Sequence, residues 1–228
     1  MKRIAFYGGS FDPLHNGHLT VARKLTEIFE LDEFVFVPAF HAPHKKSKSP
    51  TSPFHRYAIL ALATNDEPKI EVSKMELDVP ERPYTFETLL RLKNELTDTR
   101  IFFVMGADSW AEITTWREWE KVLTMVNIIV VTRPDYEIGF SHITEDIKAR
   151  IIDLREDFNV KTQRREDAKK ENESGIWNLE SGIYITDAVR IDISATEIRQ
   201  KIKDNAADWR EDVPVEVAKY IEKYELYK

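Results

Sequence analysis

Short apolar runs of strand length alternate along the chain with stretches in which apolar residues recur every three or four positions. KRIAFY (2–7) leads to an amphipathic stretch from His18 to Phe29 and then to EFVFVP (33–38), a strand-helix-strand opening. The rhythm continues with a helical pattern over 54–63, a short strand at 70–72, a helical pattern over 85–96, and two strands, IFFVMG (101–106) and NIIVVT (127–132). The last two lack polar alternation, which predicts strands buried on both faces. IYIT (183–186), a helix from about Ala195 and a closing helix within 213–227, with proline in its first turn, complete the series. Strands that alternate with helices in this way predict parallel pairing through right-handed crossovers. The expected fold is α/β: a doubly wound, mostly parallel open sheet of Rossmann-like type with a C-terminal helical end, its site outside the carboxyl ends of the strands.

Two segments break the pattern. AFHAPHKKSKSPTSP (39–53) is polar and rich in Pro, Ser and Lys, and reads as a surface loop. Residues 155–178 carry basic and acidic side chains with few apolar ones, and read as a charged insertion, either a solvated helix or a disordered one, within a single domain spanning 1–228.

Composition narrows the class. With 42% hydrophobic and 32% charged residues among 228, the chain is expected to bury a core without disulfides, and it contains no cysteine. That usage fits a reducing, cytoplasmic setting. The apolar run in MKRIAFYGG is too short for a signal peptide, and no stretch is long enough to span a membrane. A net charge of −7 argues against a broad nucleic-acid surface, so attraction for an anion would have to come from a few placed groups.

Rare residues mark where those groups lie. Of seven glycines, Gly8, Gly9 and Gly17 fall in one short stretch after the first strand, and four of six histidines (His15, His18, His41 and His44) fall in one N-terminal window. GGSFDPLHNGH (8–18) matches neither a P-loop nor a dinucleotide fingerprint. A glycine turn opening a helix near Asn16 presents backbone N–H groups and the positive helix end to an anion. His15 and His18, at helical spacing, could donate hydrogen bonds to a phosphate. The same residues also admit a simple packing turn or a metal site, the latter weakened by the lack of a third ligand at metal spacing.

GGSFDPLHNGH resembles the HxGH signature of the nucleotidylyltransferase superfamily, and ISATEIR (193–199) resembles its second, ISxTxIR-type signature. Within that superfamily the chain is most similar to bacterial nicotinate-nucleotide adenylyltransferases. APHK (42–45), PFHRY (53–57), RPYTFETL (82–89), GADSWAEITTW (106–116), TRPDY (132–136) and VPVEVAKYIEKYELY (213–227) add to the likeness. The resemblance implies adenylyl transfer from ATP to nicotinic acid mononucleotide, giving deamido-NAD and pyrophosphate without a covalent enzyme intermediate. Nothing in the chain reads as a nucleophile beside its base. The alternatives are another phosphorylated acceptor, nicotinamide mononucleotide above all, or a non-catalytic nucleotide-binding regulatory domain.

Site residues follow from the same likeness. His15, His18, Lys45 and Arg199 are the implied catalytic groups, with Gly8, Gly9, Ser10, Phe11, Gly106, Asp108, Ser194 and Thr196 completing the ATP site. Read locally, Ser194 and Thr196 cap or open a helix, and Asp108 lies at the carboxyl end of a strand, as a ribose ligand or a helix cap. Tyr84, Thr85, Trp116 and Arg133 are implied for the acceptor, although Trp116 read from composition is a core residue and Arg133 a structural ion pair. Mg²⁺ is expected to enter with ATP. The expected partners are these two small molecules, without nucleic acid or membrane, and a homo-oligomer is compatible with the sequence.

Overall fold

The computed structural model describes residues 1–40, 51–78, 83–132, 138–155, 182–189 and 193–228. The charged insertion beyond Arg155, Lys45 and Arg133 lie outside them. Internal contacts divide the chain into two compact units, Lys2–Pro83 with Ile191–Lys228, and Tyr84–Arg190 with Met1.

In the first unit, β1 (Lys2–Gly9), β2 (Glu33–Pro38) and β3 (Ile70–Val72) run parallel in the order β3-β2-β1. Their register pairs Ile4 with Glu33 through Gly9 with Pro38, and Phe34 with Ile70. Helix α1 (Asn16–Ile28) returns the chain from β1 to β2. It buries Leu19, Val21, Ala22, Leu25 and Ile28, each large aliphatic side chain contributing about 1.5–3 kcal/mol when withdrawn from water. Helix α2 (Pro53–Thr64) begins on Pro53, whose missing N–H costs nothing in a first turn.

The second unit holds β4 (Thr99–Gly106), β5 (Asn127–Val131), β6 (Ile151–Asp153) and β7 (Ile183–Thr186), in the order β4-β5-β7-β6. Every residue of β5 and β7 is buried, for β5 as its apolar run predicts. Asn127 and Thr186 are the polar exceptions, and Asn127 is satisfied on both sides: its Nδ2 donates to the Ile101 carbonyl and its Oδ1 accepts from Gly182 N–H. Around this sheet lie α3 (Thr85–Glu95), α4 (Ala107–Ala111), α5 (Trp119–Met125) and α6 (Glu145–Lys148). Trp110 is wholly buried, its indole donating to the Gly139 carbonyl.

The chain ends in the first unit with α7 (Ala195–Lys203) and α8 (Val215–Lys223). Proline stands one place earlier than the sequence suggests, with Pro214 as the cap of α8. Every described strand pairing is parallel, three strands in the first unit and four in the second, and the fold is of the open α/β class. No helix among the described residues is long and apolar enough to cross a membrane.

Candidate active site

The first signature occupies the turn from β1 into α1. β1 ends at Gly9, and the turn that follows bends at Phe11, a buried residue held at φ 47°. Such a left-handed backbone is costly for a residue with a side chain and persists where its surroundings over-determine it. The Phe11 ring meets Tyr7 at 5.3 Å and Phe36 at 5.1 Å between centroids, both edge-to-face. It also covers Gly9, where a Cβ would fall 2.7 Å from the ring. Packing within the chain therefore requires glycine here, in addition to whatever ligand approaches. Gly9→Ala should destabilise the protein by about 1–3 kcal/mol through overpacking, measurable by denaturant unfolding.

His15 caps α1 and is buried, while His18 sits one turn on and is half-buried. Their rings stack with centroids 3.7 Å apart. The His15 backbone N–H donates to His18 Nδ1 at 3.3 Å. With Nδ1 accepting, neutral His18 carries its proton on Nε2. The Phe11 ring edge, 5.1 Å away, fixes the imidazole from another side. The first turn of α1 contains no acidic residue, so its positive end faces an incoming anion without a competing carboxylate.

The second signature reaches the first through Arg199. Its Nη1 donates to the Asp12 carbonyl at 2.5 Å and its Nη2 to Thr196 Oγ1 at 3.1 Å, leaving further guanidinium N–H groups in a planar fork. Ser194 stands at the cap of α7 as expected, but its hydroxyl makes no capping hydrogen bond. Residues from the two ends of the chain, Asp12 with His15 and His18 on one side and Thr196 with Arg199 on the other, are thus joined in one structure.

Three residues outside the implied site set support this turn. Arg56 is wholly buried in α2 and forks onto backbone carbonyls: Nε to Thr51, Nη1 to Ser10, and Nη2 to Ala39 and Phe40. Burial pushes its guanidinium below the ordinary value, while nearby Asp12 acts in the opposite sense. The Asp12 carboxylate accepts from Thr51 N–H at 3.2 Å and from the Tyr227 hydroxyl at 2.8 Å. Desolvation, and then the charge of Asp12, push the Tyr227 phenol above its usual value, so it remains a proton donor. A signal for Arg56 does exist in the sequence, since it shares the helical stripe of Ile59 and Leu60. Tyr227 has none, being 215 positions from its partner.

The second unit places the remaining residues. Gly106 caps α4, and a Cβ there would enter open space. Asp108 is exposed in the first turn of α4; it is not the helix cap. Tyr84 caps α3 and Thr85 opens it, with Glu87 accepting the Tyr84 N–H at 2.9 Å. Trp116 is half-buried, edge-to-face with Phe103, so Trp110 is the core indole and Trp116 is not. The Arg117 guanidinium lies 4.9 Å over the Tyr84 ring and pairs with Glu87. Arg117 is a candidate that the sequence reading leaves unmarked.

A family profile described as cytidylyltransferase-like matches residues 6–201. A Citrifermentans bemidjiense protein named "probable nicotinate-nucleotide adenylyltransferase" is 34% identical over 226 residues, covering 99% of this chain and 98% of its own length. A Mycolicibacterium vanbaalenii protein of the same name is 30% identical over 227 residues, covering 100% of this chain and 92% of its own. Among solved structures, Plasmodium falciparum nicotinic acid mononucleotide adenylyltransferase complexed with APC superposes with a TM-score of 0.69 at 22% identity, covering 100% of this chain and 98% of its own; this is a likeness of fold. The same enzyme complexed with NaAD gives 0.68 at 21%, with the same coverage. The chain belongs to the cytidylyltransferase-like family and, within it, to the nicotinate-nucleotide adenylyltransferases.

Proposed function

We propose that the protein transfers the adenylyl group of ATP to nicotinic acid mononucleotide, and that His15, His18 and Arg199 carry the chemistry on the ATP side. An oxygen of the acceptor 5′-phosphate attacks the α-phosphorus. The bond from that phosphorus to the oxygen bridging the β-phosphate breaks, and pyrophosphate leaves with the electron pair. Such transfer needs aligned polyanions and donors where charge develops, and no protein nucleophile.

The supporting observation is the stacked imidazole pair at the start of α1, in which the bond to Nδ1 fixes the His18 ring. His18 Nε2–H donates to the α-phosphate as charge builds, while Arg199, Thr196 and Ser194 receive the β- and γ-phosphates at the start of α7. The Gly8–Phe11 turn takes the nucleotide against its backbone. Gly106 and Asp108, at the end of β4, serve the nucleoside, and the space beside Gly106 admits a ligand where a side chain would intrude. Tyr84, Thr85 and Trp116 form the pyridine site, the first turn of α3 supplying N–H groups for the nicotinate carboxylate. Lys45 and Arg133 are assigned by the resemblance alone, to the ATP phosphates and the acceptor phosphate. Mg²⁺ belongs to the substrate, as the ATP complex held mainly by phosphates and water. The cytoplasm is the proposed compartment.

Incubation with ATP, Mg²⁺ and nicotinic acid mononucleotide should release pyrophosphate, followed by a coupled assay. A site built on N–H donors for a carboxylate should favour this acceptor over nicotinamide mononucleotide by at least about 100-fold in kcat/KM. Equal values would move the assignment to a dual-specificity enzyme, and no turnover with either acceptor would refute it.

A further inference from the structure

The residues after α8 contact Asp12, a residue of the first signature to which no role is yet given. Helix α8 ends at Lys223, and the chain then folds back: Leu226 N–H reaches the Ile221 carbonyl at 3.0 Å, and Glu225 and Tyr227 take left-handed backbones at φ 51° and 69°. Two non-glycine residues in that region are an unfavourable local arrangement. The turn sets the Tyr227 hydroxyl on Asp12 Oδ1.

Asp12 stands between Phe11, itself in a left-handed backbone, and Pro13, three positions before His15. Its other carboxylate oxygen takes Thr51 N–H, and its carbonyl takes Arg199. One residue thus links the turn that presents the imidazoles to the guanidinium of the second signature, and the phenol is the group that holds its side chain from the far end of the chain. We infer that Tyr227 is a positioning residue for adenylyl transfer, setting through Asp12 the relative placement of the His15–His18 turn and Arg199.

This inference rests on the adenylyl-transfer reading. A phenol bound to the Asp12 carboxylate acts on the chemistry through that carboxylate, so its effect belongs in kcat. Near-attack geometry is steeply sensitive to small displacements. Tyr227→Phe deletes one oxygen and keeps the ring, so the fold should stand, as its thermal midpoint verifies. At saturating substrates, and well below that midpoint, kcat should fall by about 10-fold, with the acceptor KM within about twofold of wild type. Asp12→Asn completes a double-mutant cycle in which the double variant is no slower than the slower single variant within about twofold, because both act through one bond. A Tyr227→Phe kcat equal to wild type, a loss confined to KM, or losses that multiply in the double variant would each overturn the inference. Wild-type turnover in the same assay separates that outcome from failure of the adenylyl-transfer reading.

Discussion

Alanine in place of His18 should lower kcat for pyrophosphate release by at least about 100-fold, the scale of a lost transition-state donor in a preorganised site. The ring has no freedom to make it a casual contributor: Nδ1 is engaged by the His15 N–H, one face lies on the His15 ring, and Phe11 stands edge-on to it. A donor fixed before substrate arrives stabilises developing charge without reorganising. The effect should therefore appear in kcat at saturating ATP, read by steady-state kinetics. A variant whose only change is a raised KM for ATP would show that His18 merely binds ground-state phosphate, and catalysis would have to rest elsewhere.

Arg56→Ala should destabilise the protein by about 3–5 kcal/mol, as expected when one side of a buried, hydrogen-bonded charge is removed. The wholly buried guanidinium satisfies carbonyls of Ser10, Ala39, Phe40 and Thr51. Its loss also removes a positive charge that interacts with the buried Asp12 carboxylate. Against a total stability of about 5–15 kcal/mol this is a large fraction, and urea unfolding would register it as a lower midpoint. Arg56→Lys should recover little, because one ammonium cannot span carbonyls arranged for a fork. A loss below about 1 kcal/mol would mean that water replaces the guanidinium at those carbonyls.

The elements were legible where burial imposes a long, clean period. EFVFVP and IYIT occupy the strands their patterns mark, and α1 begins at Asn16 within the helix start that the glycine and histidine spacing indicates. The period fails for β6, three residues with only two apolar ones, and for α4 and α5, which are too short to repeat a stripe. The candidate site divides along similar lines. His15, His18 and Arg199 announce themselves through local signatures, and the bond from Arg199 to the Asp12 carbonyl brings those signatures together. Arg56 shares the buried stripe of α2, but its backbone partners, like the distant carboxylate that Tyr227 reaches, leave no spacing in the chain. Asp108 is placed correctly after β4 although its helix is capped by Gly106.

The Arg56 clamp has a consequence for sequence drift. Its hydrogen bonds go to main-chain oxygens, so the side chains at Ser10, Ala39, Phe40 and Thr51 do not enter them, and substitutions there leave these acceptors in place. In a saturation library the arginine should be nearly immutable while the positions it grips vary without compensating changes at 56. The most constrained contact beneath the site would thus leave no trace of pairwise covariation.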